Sequence, residues 1–459
     1  MKRGGRLATI FGRASREPAD AAAEGDEPCI PCGAKEGVRQ FSLNPPPLPA
    51  IDDAVRPRVP PGSQFAVLDG QVVLYDPVGT VSHVLNPSAA VVWAAVDGNR
   101  TVPEIVDVVQ LDTGVDRAVL DADVREVLTR FRWSRIVTFD ELPDPIGSEH
   151  MGLAPRPSMS AADDRWATVA DRILDGVEWT TVVGPVRASG IDVVVRANGD
   201  VTGHAIVAAL GALPAGVSED GSGRRAPITV SVVDAGPDAR RRFRVYVDGR
   251  RRWTNTDATD VAHTVMAEIT LGATSGTSGY VRLHAGAVER DGIVVAITGA
   301  SGRGKSTLTA ALVQRGFAYV TDELAAVDPA TRAVLPYPKA IDLDAASCRL
   351  LDLSAGADHL DVSSPVPVAP LGAVSTGGRL GLVVLLDDEF VSEHDESASP
   401  PIRALLDLVA VTFGDTFEQD DALEALAGIV GAVPIIRVAR GPLDQMCAQV
   451  DAAVRGVRA

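Results

Sequence analysis

The apolar positions of this chain change their spacing several times, and each change marks an element. Phe65–Leu68 and Val72–Tyr75 flank Asp69-Gly70. Two short apolar runs about an Asp-Gly pair predict a hairpin, because that pair accepts the positive φ angles of a tight turn. Val81–Leu85 predicts a third strand. The spacing then becomes helical. Asn86 and Pro87 open NPSAAVVWAAVDG, with Asn as the cap, Pro at the first helical position and Gly98 as the stop. Thr101–Glu104 (TVPE) is a capping box ahead of Ile105 and Val109. A third helix is predicted over 116–130, with Val119, Leu120, Val124, Val127, Leu128 and Phe131 inward. The order β-β-β-α-α-α describes a small winged-helix-like α+β module.

Later in the chain, strands are predicted at Ile191–Arg196, Ile228–Val233, Phe243–Val247 and Arg252–Thr254, the last two joined at Asp248-Gly249, and a helix over 257–269. Ile293–Thr298 is a nearly unbroken apolar run, the mark of a strand buried on both faces. Leu308, Leu312 and Val313 follow at helical spacing up to Gly316. Strands are predicted again at 317–324, 333–335, 340–343, 380–387 and 435–438, and helices at 402–413, 421–430 and 444–454. This is an α/β pattern. Residues 1–60, rich in Ala, Gly, Pro, Glu and Arg, read as a disordered tail, and 141–163, rich in Pro, Gly and Ser, as a linker. The expected division is therefore a tail (1–60), a small domain (61–140), a linker (141–163) and a large domain (164–459).

Composition narrows the function. A hydrophobic content of 46% suits sizeable cores, and a net charge of −18 disfavours nucleic acid and anionic membranes alike. Without a spanning run or a signal-peptide core, a cytoplasmic protein is expected. The lone CxxC at Cys29 and Cys32 supplies half of the four ligands a structural zinc needs.

The chemistry centres on Gly299–Ser306 (GASGRGKS), which fits G-x-x-x-x-G-K-[ST] at every fixed position, between a predicted strand and a predicted helix. Gly299, Gly302 and Gly304 let the backbone curl so that amides converge on one point, with Ala300, Ser301 and Arg303 completing the loop. The helix start, with Lys305, Ser306 and Thr307, adds positive charge. Lys305 is suited to the β- and γ-phosphates of ATP, and the Ser306 hydroxyl to Mg²⁺. Three further features accompany the loop: His284 in LHAGAV upstream, Asp322-Glu323 in YVTDEL, and Lys339 in PYPKAI. Carboxylates after the next strand can meet Mg²⁺ or take a hydroxyl proton. His284 reads either as a site residue or as a hydrogen-bonded core histidine. Lys339, one of only four lysines with Lys2, Lys35 and Lys305, reads either as part of the site or as a surface lysine. Asp387, Asp388 and Glu389 read as a solvated strand end.

Two resemblances follow from these residues. Leu85, Asn86, Trp93, Asp97, Gly98, Thr101, Glu104 and Ile105 match the signature of the PqqD family, peptide-recognition domains of ribosomal-peptide modification systems. The resemblance implies that a leader peptide adds as a strand beside the third strand (Val81, His83, Leu85) and packs against the third helix (Leu120, Val124, Leu128), a form of β-augmentation. The order LHAGAV–GASGRGKST–YVTDEL–PYPKAIDL resembles the HPr kinase/phosphorylase family. It implies a carboxykinase-like nucleotide-binding core with a mixed sheet, joined to the PqqD-type domain. It also implies phosphoryl transfer to a serine, with Asp322 as base, Glu323 at the metal, and His284 and Lys305 in the catalytic set. Glu323 departs from the family's second Asp, and the segment tied to phosphorolysis has no counterpart.

The combined expectation is an ATP- and Mg²⁺-dependent serine kinase acting on a leader-bearing precursor peptide, alongside other peptide-modifying enzymes and able to form oligomers. An ATP-gated peptide adaptor and a small-molecule kinase fit the same motifs.

Overall fold

The computed structural model of the chain describes residues 51–76, 81–139, 174–216, 226–237, 239, 242–255, 258–353, 364–387, 400–419 and 421–458. The expected tail up to residue 50, all of the expected linker, and Asp388-Glu389 lie outside them.

The small domain runs β1 (Pro57–Arg58), β2 (Gln64–Leu68), β3 (Gln71–Asp76), β4 (Val81–Leu85), α1 (Pro87–Ala94), α2 (Val102–Thr113), α3 (Arg117–Trp133) and β5 (Thr138–Phe139). Asp69 and Gly70 both take positive φ (51° and 75°), which closes the β2–β3 hairpin with Leu68 opposite Gln71. β4 pairs with β3 and ends the three-stranded sheet. The Asn86 side chain accepts the Ala89 N–H at 2.9 Å and starts α1. Glu104 accepts the Thr101 N–H at 2.7 Å, the reciprocal half of the capping box on α2. Gly114, at φ 67°, ends α2. Leu74, Leu85, Val92, Ile105, Val109, Leu120, Val124, Leu128 and Phe131 close one core.

Two expectations change here. Residues 51–58 belong to the small domain rather than to the tail: Ile51 and Val55 are buried in its core, and β1 pairs with β5. Their polar composition hid two well-placed apolar side chains. Val119 is exposed rather than inward, one position off the buried stripe of α3.

Among the described residues, the large domain contains two large sheets and one two-stranded sheet. β6 (Thr181–Ala188), β7 (Ile191–Ala197), α4 (Asp200–Leu210), β8 (Ile228–Asp234), β9 (Phe243–Val247), β10 (Arg250–Asn255) and α5 (Ala258–Gly276) form the first part, with strand order β10-β9-β8-β7-β6. The apolar face of α5 (Val261, Val265, Ile269) packs on Val193, Val195, Val230 and Val245 of that sheet.

The second part runs β11 (Val281–His284), β12 (Gly286–Arg290), β13 (Ile293–Thr298), α6 (Lys305–Gln314), β14 (Ala318–Thr321), β15 (Leu324–Val327), β16 (Ala333–Leu335), β17 (Ile341–Leu343), α7 (Ala345–Leu350), β18 (Ser364–Val366), β19 (Gly378–Asp387), α8 (Pro400–Ala410), α9 (Ala422–Ala432), β20 (Ile435–Ala439) and α10 (Leu443–Arg458). Its sheet order is β11-β15-β16-β19-β13-β12-β14, with β20 beside β19. β13–β19 and β19–β20 are parallel and the other pairings antiparallel, so the sheet is mixed. Both faces are covered. Leu308 and Leu312 of α6 and Val450 and Val454 of α10 lie on one side, and Leu405 and Leu408 of α8 and Leu423 and Leu426 of α9 on the other. This explains why β13 carries an unbroken apolar run instead of an alternation.

The small sheet docks on the second of these layers. Alternate residues of β2 and β3, namely Ala66, Val73 and Tyr75, join the core that holds Leu405, Phe417 and Leu423. Gln64 is buried at the junction: its amide donates to the carbonyls of Phe417 (2.8 Å) and Gln419 (2.6 Å) and accepts the Leu423 N–H (2.9 Å).

Candidate functional site

The Gly299–Ser306 loop forms because β13 must hand over to α6 within a few residues. Gly299, Gly302 and Gly304 take φ of 150°, 73° and 87°. At Gly299 a side chain would also meet the Leu386 carbonyl, since an added Cβ would lie 3.0 Å from its oxygen. Gly304 caps α6, so the first amides of that helix follow the loop directly. Ala300, Ser301 and Arg303 complete the turn, and Ser306 and Thr307 lie half-buried in the first turn of α6. Lys305 is buried, and its amine donates to the carbonyls of Gly299 (3.0 Å) and Ala300 (3.1 Å), folded back over its own loop. Thr307 Oγ1 lies 2.8 Å from Ser347 Oγ, tying α6 to α7.

A second cluster stands beside the start of this loop. Thr298, the last residue of β13, donates its hydroxyl to the His284 carbonyl at 3.3 Å. His284 Nδ1 lies 3.4 Å from Glu323 Oε1, and neither atom has a hydrogen-bond partner among the described residues although both are buried. Asp322 and Glu323 occupy the bend between β14 and β15, which the sequence pattern had merged into one strand.

Lys339 is no surface lysine: it is 3% exposed. Its amine lies 3.0 Å from Asp322 Oδ1, 2.9 Å from Asp342 Oδ2 and 4.0 Å from Glu323 Oε2. Asp322 is buried as well. Its Oδ1 also accepts the Tyr319 hydroxyl at 2.8 Å, and its Oδ2 accepts the Asp342 N–H at 3.2 Å. His284, Asp322, Glu323 and Lys339 thus come together, as the sequence motifs suggested. Asp342 and Tyr319 are additions. Asp342 was visible as the one polar position in the Ile341–Leu343 strand, and Tyr319 lies three residues before Asp322.

The electrostatics follow from burial and proximity. Burial pushes the Asp322 carboxyl above its usual range, and Lys339 opposes that push. The three carboxylates outweigh the burial of Lys339 and hold its amine well above its usual value, so it is charged throughout the neutral range. Burial also pushes Glu323 up, but His284, Lys339 and Lys305 outweigh it and hold the group below its usual value. The Tyr319 hydroxyl is raised well above its usual value by burial and by Asp322.

In the small domain, Val81, His83 and Leu85 alternate along β4 and so share one face. Leu85 is buried, while Val81 and His83 are half-buried beside the outer edge of the sheet. Burial lowers the pKa of His83, favouring the neutral imidazole. The expectation that Leu120, Val124 and Leu128 meet a peptide is corrected: all three are fully buried in the module's own core. The stripe of apolar residues on α3 marks internal packing. Among the described residues, no helix is long and apolar enough to cross a membrane.

Comparison with known proteins assigns a class to part of this architecture. Residues 71–137 match the family model described as Coenzyme PQQ synthesis protein D (PqqD), which identifies the small module as a PqqD domain on a larger mixed α/β chain. Among solved structures, the chain is similar to TbiB1 in complex with the TbiA(beta) leader peptide, at 21% identity over 19% of this chain and 99% of the other, with a TM-score of 0.17. It is also similar to the Hpr(Ser) kinase/phosphatase from Coxiella burnetii, at 18% identity over 39% of this chain and 90% of the other, with a TM-score of 0.21. No curated protein matches the chain.

Proposed function

We propose that the chain is a kinase that transfers the γ-phosphoryl group of ATP to a serine hydroxyl of a ribosomally synthesised precursor peptide, whose leader is held by the PqqD domain. The observation that carries this reading is the juxtaposition at β13. A glycine loop built for phosphate opens onto α6, and the strand residue just before it touches His284, which in turn faces Glu323.

In this reading Lys305 leaves the Gly299 and Ala300 carbonyls and takes the β- and γ-phosphates, joined by the loop amides. The acceptor hydroxyl loses its proton to Asp322 as its oxygen bonds to phosphorus and the bond to the β-phosphate oxygen breaks, releasing ADP. Oδ2 is the receiving oxygen, because it accepts only one hydrogen bond while Oδ1 faces both Tyr319 and Lys339. A divalent cation fits the donor set: the Ser306 hydroxyl lies in the first turn of α6, and Glu323 Oε1 is a buried carboxylate oxygen without a hydrogen-bond partner among the described residues. Mg²⁺ held there with the phosphates would neutralise developing charge. The leader would add to the free edge of β4 through backbone hydrogen bonds, raising the local concentration of the serine.

The test is intact-mass analysis of precursor peptides encoded beside the gene after incubation with the full chain and Mg²⁺-ATP. A gain of one phosphoryl group that disappears with Lys305→Ala is the expected result. Bound ATP and captured peptide without any mass gain would replace the kinase with an adaptor. Turnover of a small molecule without peptide would replace the substrate class.

A further inference from the structure

The junction between the two domains bears directly on the candidate site. Its continuity rests on a series of hydrogen bonds and ring contacts. Gln64 of β2 donates to the Gln419 carbonyl and to the Phe417 carbonyl, and accepts the first-turn N–H of α9 at Leu423. The Gln419 side chain, in turn, accepts the Gly279 N–H at 2.9 Å and reaches the Tyr280 carbonyl at 3.5 Å, the two residues that enter β11. β11 is an end strand of its sheet, so one edge depends on other partners. Those partners come from the segment just before Gln419. The His284 N–H donates to the Val411 carbonyl at 2.8 Å, Leu283 pairs with Thr412, and the Phe413 N–H donates to the Arg282 carbonyl at 2.9 Å. The buried Arg282 guanidinium adds a bond to Thr416 Oγ1 at 3.1 Å, and the Phe413 ring stands edge-on to the His284 imidazole at 6.0 Å. Tyr75 of β3 stacks on Phe417 within the same segment, with ring centroids 4.1 Å apart.

Residues 411–419 and 421–423 therefore hold the PqqD domain on one side and the backbone of His284 on the other. A buried glutamine with all three of its bonds directed at main-chain groups fixes those groups in place, since moving any of them would strand a polar atom away from water. We propose that the PqqD domain is part of the catalytic framework as well as a peptide holder: Gln64 and Gln419 are positioning residues that set His284, and through it the Glu323 carboxylate, against the phosphate loop. The consequence for catalysis rests on the kinase reading above; the mechanical link does not.

The experiment uses the full chain with Gln64→Leu and, separately, Gln419→Leu. Gln64→Leu removes the bond from the small domain, whereas Gln419→Leu keeps the acceptor carbonyl and cuts the side-chain link to β11. Hydrogen exchange is read at the amides of residues 279–284 and compared with those of β13. Both variants are expected to speed exchange at His284 by about tenfold or more while β13 stays protected. In the phosphoryl-transfer assay, kcat should fall by about tenfold with the KM for ATP and the affinity for leader peptide unchanged, because position rather than binding is lost. Unchanged exchange at 279–284 in Gln419→Leu, which spares the buried junction and so guards against misfolding of Gln64→Leu, would overturn the proposal. Faster exchange in the variants, together with no kinase activity in the wild-type protein, would leave the link standing and remove the kinase reading.

Discussion

Lys339 is the residue whose environment says most about the site. An ammonium that is almost fully enclosed is tolerated because Asp322 and Asp342 lie within hydrogen-bond distance and Glu323 lies nearby. Replacing it by a neutral side chain of similar length leaves the buried Asp322 and the half-buried Glu323 and Asp342 without the cation they share. Lys339→Met is therefore expected to cost about 3 kcal/mol or more, measured by denaturant unfolding. The tyrosines make a prediction about pH. Tyr319 is raised well above its usual value, and burial pushes Tyr75 up to about 12. Above about pH 10 the unfolded chain releases protons that these folded phenols retain, so stability falls as pH rises. Lys339 acts in the same direction: its raised pKa gives stability that is present below its unfolded value and lost as pH climbs through the folded one. Calorimetry from neutral pH to about pH 11 should show the melting temperature dropping on the alkaline side, with a shallower slope in Tyr75→Phe.

At the scale of elements, local chemistry fixes most boundaries. Asp69-Gly70, Asn86 and the Thr101–Glu104 capping box each act where the sequence places them. Thr101→Ala should remove about 1 kcal/mol by uncapping α2, seen as a lower melting temperature with the same nucleotide affinity. These features were legible because they are contiguous: cap, turn and loop residues stand next to the element they shape. The glycine turn at 299–304 belongs with them. Other elements were not legible. β6, α4, β11 and β12 were not anticipated as separate elements, because they alternate weakly or turn on a single residue such as Ala285 between two strands. The β14–β15 bend looked like one strand because the apolar run resumes at once after Asp322-Glu323. On α3, the apolar stripe predicted burial except at Val119, but not whether the covering partner was the module's own core or a peptide. Asp342 could not be assigned from spacing, since its meeting with Asp322 depends on how β17 is laid beside the bend.

At the scale of the whole molecule, the PqqD domain is joined to the large domain through Gln64 and through a shared apolar core, in addition to the covalent connection. That arrangement gives a fixed relation between the edge of β4, where a leader would pair, and the loop at Gly299–Ser306, where phosphate would lie. The central claim is that this relation serves transfer to a tethered peptide. The most direct measurement is the second-order rate of phosphoryl transfer, by intact mass, to a precursor carrying its leader and to the same core without it. We expect the leader-bearing peptide to be modified about a hundredfold or more faster, with the advantage abolished when free leader is added in excess. Equal rates for the two peptides, or an advantage that free leader does not compete away, would contradict the account.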